Sequence, residues 1–177
     1  MRRRVILVGY RASGKSTLGP VLADQLGGAF IDADVALETT SGLSIPQIFA
    51  REGEAGFRER EHAQLAALLA QTDAWSVLAT GGGVVERADN RQLLGKSDDL
   101  VVYLEAPAET LVARLEHDDG DRPSLTGMGV AQEVGEILAR RAPWYREVAD
   151  KVVDATLPVE KLLGELMAIV ENSSEGS

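Results

Sequence analysis

The nine residues from Gly9 to Thr17 read G-Y-R-A-S-G-K-S-T and follow directly on the apolar run Val5-Ile6-Leu7-Val8. A buried strand that runs into G-x-x-x-x-G-K-[ST] and then into a helix is the arrangement that cradles a polyphosphate. Gly9 and Gly14 permit the tight turns that aim successive backbone N–H groups inward at phosphate oxygens. Lys15 can reach the β- and γ-phosphates, and Ser16 can place its hydroxyl on Mg²⁺. Ala12, Ser13, Gly14 and Thr17 complete the nest at the helix N-terminus, where the dipole favours an anion. Such a loop needs a strand before it and a helix after it, so it already commits the chain to an α/β fold.

The remaining pattern agrees. Short strands are expected at Arg4 to Val8, Ala29 to Ile31, Trp75 to Ala79, Leu100 to Leu104 and Lys151 to Asp154. Helices are expected at Lys15 to Leu26, Val35 to Thr40, Ile45 to Arg51, Glu54 to Ala70, Pro107 to Leu115, Gln132 to Tyr145 and Pro158 to Val170. Strands alternating with helices imply a parallel sheet of about five strands with helices on both faces, a P-loop NTPase-type architecture. Pro143 should bend or break the helix that contains it. At 177 residues the chain is read as one domain, 1–171, with 172–177 as a frayed tail. Residues 116–129 lose all periodicity and are polar and glycine-bounded, the character of a lid or a disordered loop.

Bulk properties exclude several classes of function. A formal charge of −10 disfavours nucleic acid as a partner, because a phosphate backbone needs a basic face. No apolar run is long enough to span a membrane. The basic start Arg2-Arg3-Arg4 is followed by too short an apolar stretch for a signal peptide. With no cysteine there is neither a disulfide framework nor thiolate chemistry, as in a cytosolic enzyme, and with only two histidines a structural zinc site is disfavoured.

Four further features carry chemistry. Asp32-Ala33-Asp34 stands at the carboxyl end of the second strand, where open α/β sheets present ligand-binding groups. Its structural alternative is that Asp34 only caps the following helix. On the helix from Glu54, the residues Phe57, Glu61, Leu65 and Leu68 share one stripe, which puts a carboxylate on an apolar face, with Arg58 three residues away. An exposed ion pair within the helix would account for Arg58 and Glu61 equally well. Thr80-Gly81-Gly82-Gly83 closes the third strand and suits close approach of a small polar ligand. Arg122 stands in the irregular loop, where a solvated charge is the plain alternative, and Arg140-Arg141 precedes Pro143.

Taken together, G-Y-R-A-S-G-K-S-T, D-A-D-V, I-P-Q-I-F, G-E-x-x-F-R-x-x-E, G-G-G-V, R-P-S-L and R-R-A-P-W-Y resemble the shikimate kinases in the same order over nearly the whole chain. The resemblance implies a small P-loop kinase with a substrate-binding helical subdomain over about 34–70 and a mobile lid over about 116–129. It implies transfer of the γ-phosphoryl group of ATP to the 3-hydroxyl of shikimate. It also implies that Asp34 faces the ring hydroxyls and that Arg58 and Arg141 grip the substrate carboxylate. Gly81, Gly82 and Gly83 would line the substrate, with Glu61 beside them. Arg122 and Lys15 would hold the phosphates, and Ser16 and Asp32 would serve Mg²⁺, Asp32 through water. A monomer with ATP and shikimate as its small-molecule partners is expected.

One stretch departs from the family pattern. Family members often carry a basic side chain against adenine in the loop after the last strand, whereas this chain has Asp154-Ala155-Thr156-Leu157-Pro158, leaving Arg114 to cover the base. The sequence also admits two rival readings: a gluconate kinase, which phosphorylates another polyhydroxy acid, and a non-catalytic nucleotide sensor on the same scaffold.

Overall fold

A computed structural model describes residues 4–71, 76–117 and 129–174. Five parallel strands, β1 (Val5–Val8), β2 (Phe30–Asp32), β3 (Val77–Ala79), β4 (Leu100–Glu105) and β5 (Lys151–Asp154), form one sheet in the order β2-β3-β1-β4-β5. Between and after them lie α1 (Lys15–Gln25), α2 (Ala33–Ser41), α3 (Ile45–Leu69), α4 (Ala88–Lys96), α5 (Ala108–His117), α6 (Val130–Val148) and α7 (Val159–Ser174). The α/β parallel-sheet expectation is therefore met.

Period-two alternation decides how the sheet is covered. On β1, Val5 and Leu7 point to one face and join Leu18 and Leu22 of α1, Leu111 of α5, Val134 of α6 and Leu166 of α7. Ile6 and Val8 point to the other face and join Leu65 and Leu68 of α3, Leu94 of α4 and Tyr145 of α6. All four β1 side chains are fully buried, so the strand that feeds the phosphate loop is anchored on both sides. A third, separate cluster of Leu37, Ile48 and Phe57 packs α2 against α3, and it gives the helical segment after β2 a small core of its own.

Local chemistry sets the helix boundaries. Gly27, at φ +63, turns the chain after α1 as expected of a glycine at a helix end. Ser44 and Gln47 form a reciprocal capping box at the start of α3, with the Ser44 N–H donating to the Gln47 side chain at 2.9 Å. The two helices expected between Ile45 and Ala70 are present and meet at Gly53, whose φ of +69 and ψ of −173 lie outside helical space.

Three expectations are corrected. Of the bend or break expected at Pro143, the break does not occur: the helix continues to Val148, with Tyr145 and Val148 beyond the proline buried in the sheet core. The segment after the triple glycine holds a 3₁₀ turn at Val84–Glu86 and then α4, neither of which was expected. Helix α7 runs to Ser174, past the start of the expected tail at 172. The beginning of the expected third strand at Trp75, most of the 116–129 loop and the last three residues lie outside the described residues.

Gly53 and Gly135 offer a contrast, because neither has an atom within 4 Å of the position a Cβ would take. Gly53 occupies backbone space essentially reserved for glycine, so Gly53→Ala should destabilise the protein by about 1–3 kcal/mol. Gly135 lies inside α6, and Gly135→Ala should stabilise by about 0.5–1 kcal/mol. Urea midpoints of the two variants should move in opposite directions.

Candidate active site

Strand register brings the chemistry-bearing segments together. Leu7 of β1 pairs with Ala79 of β3, and Ala79 pairs on its other side with Asp32 of β2. The phosphate loop, the triple glycine and the Asp32–Asp34 turn therefore leave the same edge of the sheet side by side. Thr80 fastens the junction, donating from both its backbone N–H and its hydroxyl to the Leu7 carbonyl at 3.1 Å.

The phosphate loop is held in its strained shape from within. Gly14 has φ +102, and Ala12 is the only non-glycine with positive φ among the described residues, at +63. Lys15 is buried, and its Nζ donates to the carbonyls of Gly9 at 2.7 Å and Tyr10 at 2.9 Å. Its ammonium thus closes the loop on itself. From behind, Arg114 on α5 donates to the Ala12 carbonyl at 3.2 Å and the Ala155 carbonyl at 2.6 Å. Arg114 thereby ties the loop after β5 to the phosphate loop. Thr17 lies in the first turn of α1, beginning the helix whose N-terminus faces the loop.

The helix cap falls on Asp32. Its Oδ1 accepts from the backbone N–H groups of Asp34 at 2.9 Å and Val35 at 3.3 Å, whereas Asp34 was the expected cap under the structural alternative. This assignment releases the Asp34 side chain for other work. The second oxygen of Asp32 accepts from the Ser16 hydroxyl at 3.2 Å. A hydroxyl and a carboxylate oxygen this close fit a cation that completes its shell with phosphate oxygens and water, as Mg²⁺ does. Among the described residues no group of three or more acidic or histidine side chains could hold a metal unaided.

Beside the phosphate loop, Gly81 and Gly83 make room for charged side chains, and Gly82 for the phosphate-loop backbone. A Cβ on Gly81 would lie 2.8 Å from Asp34 Oδ1 and 3.0 Å from Glu61 Oε1. On Gly82 it would lie 3.2 Å from the Arg11 backbone nitrogen and 3.7 Å from Arg141 Nη1, and on Gly83 it would overlap the Arg58 guanidinium. A recess lined by Asp34, Leu37, Glu61, Leu65, Thr80 and Gly81 opens beside them. The Tyr145 hydroxyl donates to the Gly82 carbonyl and fixes the glycine run from the α6 side.

Each arginine around the glycines is matched by a carboxylate. Arg58 Nη1 donates to Glu61 at 2.8 Å, and both side chains are largely buried, so the pair is not the exposed one that sequence also allowed. Arg141 Nε donates to Glu86 at 2.7 Å, and Arg11 Nη2 donates to the fully buried Glu133 at 2.5 Å. Glu86, Arg11, Glu133 and Tyr145 were not anticipated as parts of this site. Arg11 lies within the phosphate-loop motif and Tyr145 is an aromatic one helical turn after Arg141, whereas Glu86 and Glu133 carried no such signal. Arg122 lies outside the described residues.

The carboxylates differ in how the site treats them. Burial, reinforced by the charges of Asp32 and Glu61, pushes the Asp34 carboxyl up to about 6. Glu61 is also raised by burial, against the pull of Arg58. Burial would raise Glu86 too, but hydrogen bonds from Arg140 and Arg141 outweigh it and hold that carboxyl below its ordinary value.

The Asp34 shift has a consequence for stability. A native value of about 6 against 3.8 for an ordinary aspartate means that the folded protein holds this proton more tightly than the unfolded chain does. Ionisation therefore costs stability as pH rises from about 4 to about 6, and the cost persists above that window. Asp34→Asn removes it, and should stabilise the metal-free protein by roughly 1–3 kcal/mol at pH 8. That is a melting-temperature gain of several degrees for a chain of this size. Thermal melts in EDTA should show the gain at pH 8 and its disappearance at pH 4.

Comparison with known proteins places this geometry in a family. The shikimate kinase family model matches residues 11–171. The chain is 42% identical over 172 residues to a shikimate kinase 2 of Yersinia enterocolitica, covering 96% of this chain and 97% of the relative. It is 47% identical over 153 residues to a shikimate kinase of Halorhodospira halophila, covering 86% of this chain and 84% of the relative. A solved structure of shikimate kinase from Acinetobacter baumannii in complex with shikimate superposes with a TM-score of 0.87 at 36% identity, covering 96% of this chain and 93% of the other. A family model matched over 11–171 and relatives this similar over nearly the whole chain place it plainly: the chain belongs to the shikimate kinase family.

Proposed function

We propose that the chain carries out the reaction of its family, the ATP-dependent phosphorylation of the shikimate 3-hydroxyl to give shikimate 3-phosphate and ADP. The observation that carries this reading is the convergence of Asp34, Glu61, Arg58 and Arg141 on Gly81–Gly83, one strand away from the phosphate loop. A small carboxylated ring with hydroxyls on the side away from its carboxylate suits that arrangement. The guanidinium groups of Arg58 and Arg141 offer forks to a carboxylate, the glycines let the ring lie against backbone, and Asp34 meets the hydroxyls.

In this reading Lys15 turns from the loop carbonyls to the phosphates, and Arg122 reaches them from the lid. Ser16, and Asp32 through water, would hold Mg²⁺, which when bound neutralises phosphate charge. Asp34, ionised at neutral pH, orients the 3-hydroxyl and accepts its proton. The new O–P bond forms as the bond from the γ-phosphorus to the β-bridging oxygen breaks, and ADP leaves with the electron pair. Positioning and charge neutralisation supply most of the acceleration in such transfers. Arg114 lies against the adenine. No helix of the described residues is long and apolar enough to cross a membrane, and the enzyme is proposed to work in the cytoplasm as a monomer on its two small substrates.

A coupled assay with ATP and Mg²⁺ should release ADP when shikimate is added. Turnover with gluconate and none with shikimate, or nucleotide binding without turnover on any hydroxy acid, would refute the proposal. Arg58→Ala should weaken the acceptor by about 2–5 kcal/mol, roughly thirtyfold to a few thousandfold, since it leaves a desolvated carboxylate half paired. An unchanged acceptor KM would remove Arg58 from the site. Asp34→Asn, although more stable, should lose turnover while keeping its ATP affinity, and a matching fall in ATP affinity would move Asp34 to the metal.

A further inference from the structure

The Arg141 guanidinium is constrained on three sides before any acceptor arrives. Its Nε donates to Glu86 Oε1 at 2.7 Å. One face lies toward the Tyr10 ring, with Cζ 5.9 Å from the ring centroid. Its Nη1 sits beside Gly82, 3.7 Å from where a Cβ would be. Because the guanidinium is planar, tying Nε fixes the direction in which both terminal nitrogens point. Those terminal nitrogens lie beside Gly82 and the Tyr145 side chain.

Glu86 is well placed to impose this. It ends the 3₁₀ turn that follows the triple glycine, and its N–H donates to the Gly83 carbonyl at 3.0 Å. The same short turn therefore carries both the glycine floor and the carboxylate that orients Arg141. The Glu86 oxygen is further fixed by Arg140, whose Nη2 donates to it at 2.8 Å from the exposed side of α6. The carboxylate is thus held from the solvent side while it holds Arg141 on the pocket side.

We infer that Glu86 is a positioning residue for the acceptor: it holds the Arg141 guanidinium by Nε so that its terminal edge is preset for the substrate carboxylate. This rests on the reading of Arg141 given under Proposed function. The opposite arrangement, in which Glu86 competes with the substrate for Arg141, makes the opposite prediction for affinity.

Two measurements decide it. In the protein without ligand, nitrogen-15 NMR should show a protected Arg141 Nε–H in the wild type and faster solvent exchange in Glu86→Ala, a result that does not depend on which acceptor the enzyme uses. In the ADP-release assay, Glu86→Ala should raise the shikimate KM roughly two- to tenfold, the cost of ordering one long side chain on binding. The ATP KM and kcat should stay near wild type. Glu86→Gln keeps an acceptor oxygen for Nε, and should recover most of the affinity and cover the case in which the alanine variant folds poorly. In an Arg141→Ala background, Glu86→Ala should add no further loss. An unchanged or lowered shikimate KM, a loss that persists in the Arg141→Ala background, or an Nε–H that exchanges equally fast in both proteins would overturn the inference. Absence of wild-type turnover with shikimate would refute the proposed function, while the NMR comparison would still decide the role of Glu86.

Discussion

The site depends first on the registration of three strand ends. Leu7 opposite Ala79, and Ala79 opposite Asp32, set the phosphate loop, the triple glycine and the acidic turn abreast. A slip of one residue would turn every β1 side chain to the wrong face and carry the loop away from its partners. The slip is prevented by full burial on both faces of β1 and by the double hydrogen bond from Thr80 to the Leu7 carbonyl. The phosphate loop and the glycine and acidic turns are neighbours because the sheet makes them so.

Charge balance is the second constraint. The protein is strongly acidic, yet Arg11, Arg58 and Arg141 gather around the glycines. Three largely buried guanidinium groups would be costly alone, and each is answered by a glutamate within hydrogen-bond distance. Asp34 stands apart. It is crowded by Asp32 and Glu61, and its ionisation opposes folding. A carboxylate kept where it weakens the fold fits a residue retained for function.

The sequence made much of this legible. Helical spacing alone put Glu61 on the stripe of Phe57, Leu65 and Leu68, and all four side chains are buried. The capping box at Ser44 and the break at Gly53 were equally readable, because both depend on neighbours along the chain. Asp32 and Asp34 were visible as a pair, but which of them caps the helix was not. Either can cap a helix, and only the backbone course after β2 gives the cap to Asp32.

Local periodicity and the phosphate-loop spacing determined the α/β class and the donor loop, since each is a short-range property of the chain, whereas the residues proposed for the acceptor were legible only through the resemblance of several short motifs to one family. The partners that fix those residues could be decided only by tertiary structure. Glu86 meets Arg141 across 55 residues, Glu133 meets Arg11 across 122 and Arg114 meets the phosphate loop across about 100, separations over which no periodicity survives. Such pairings are set by strand order and helix docking, which bring together groups that the sequence alone gives no reason to associate.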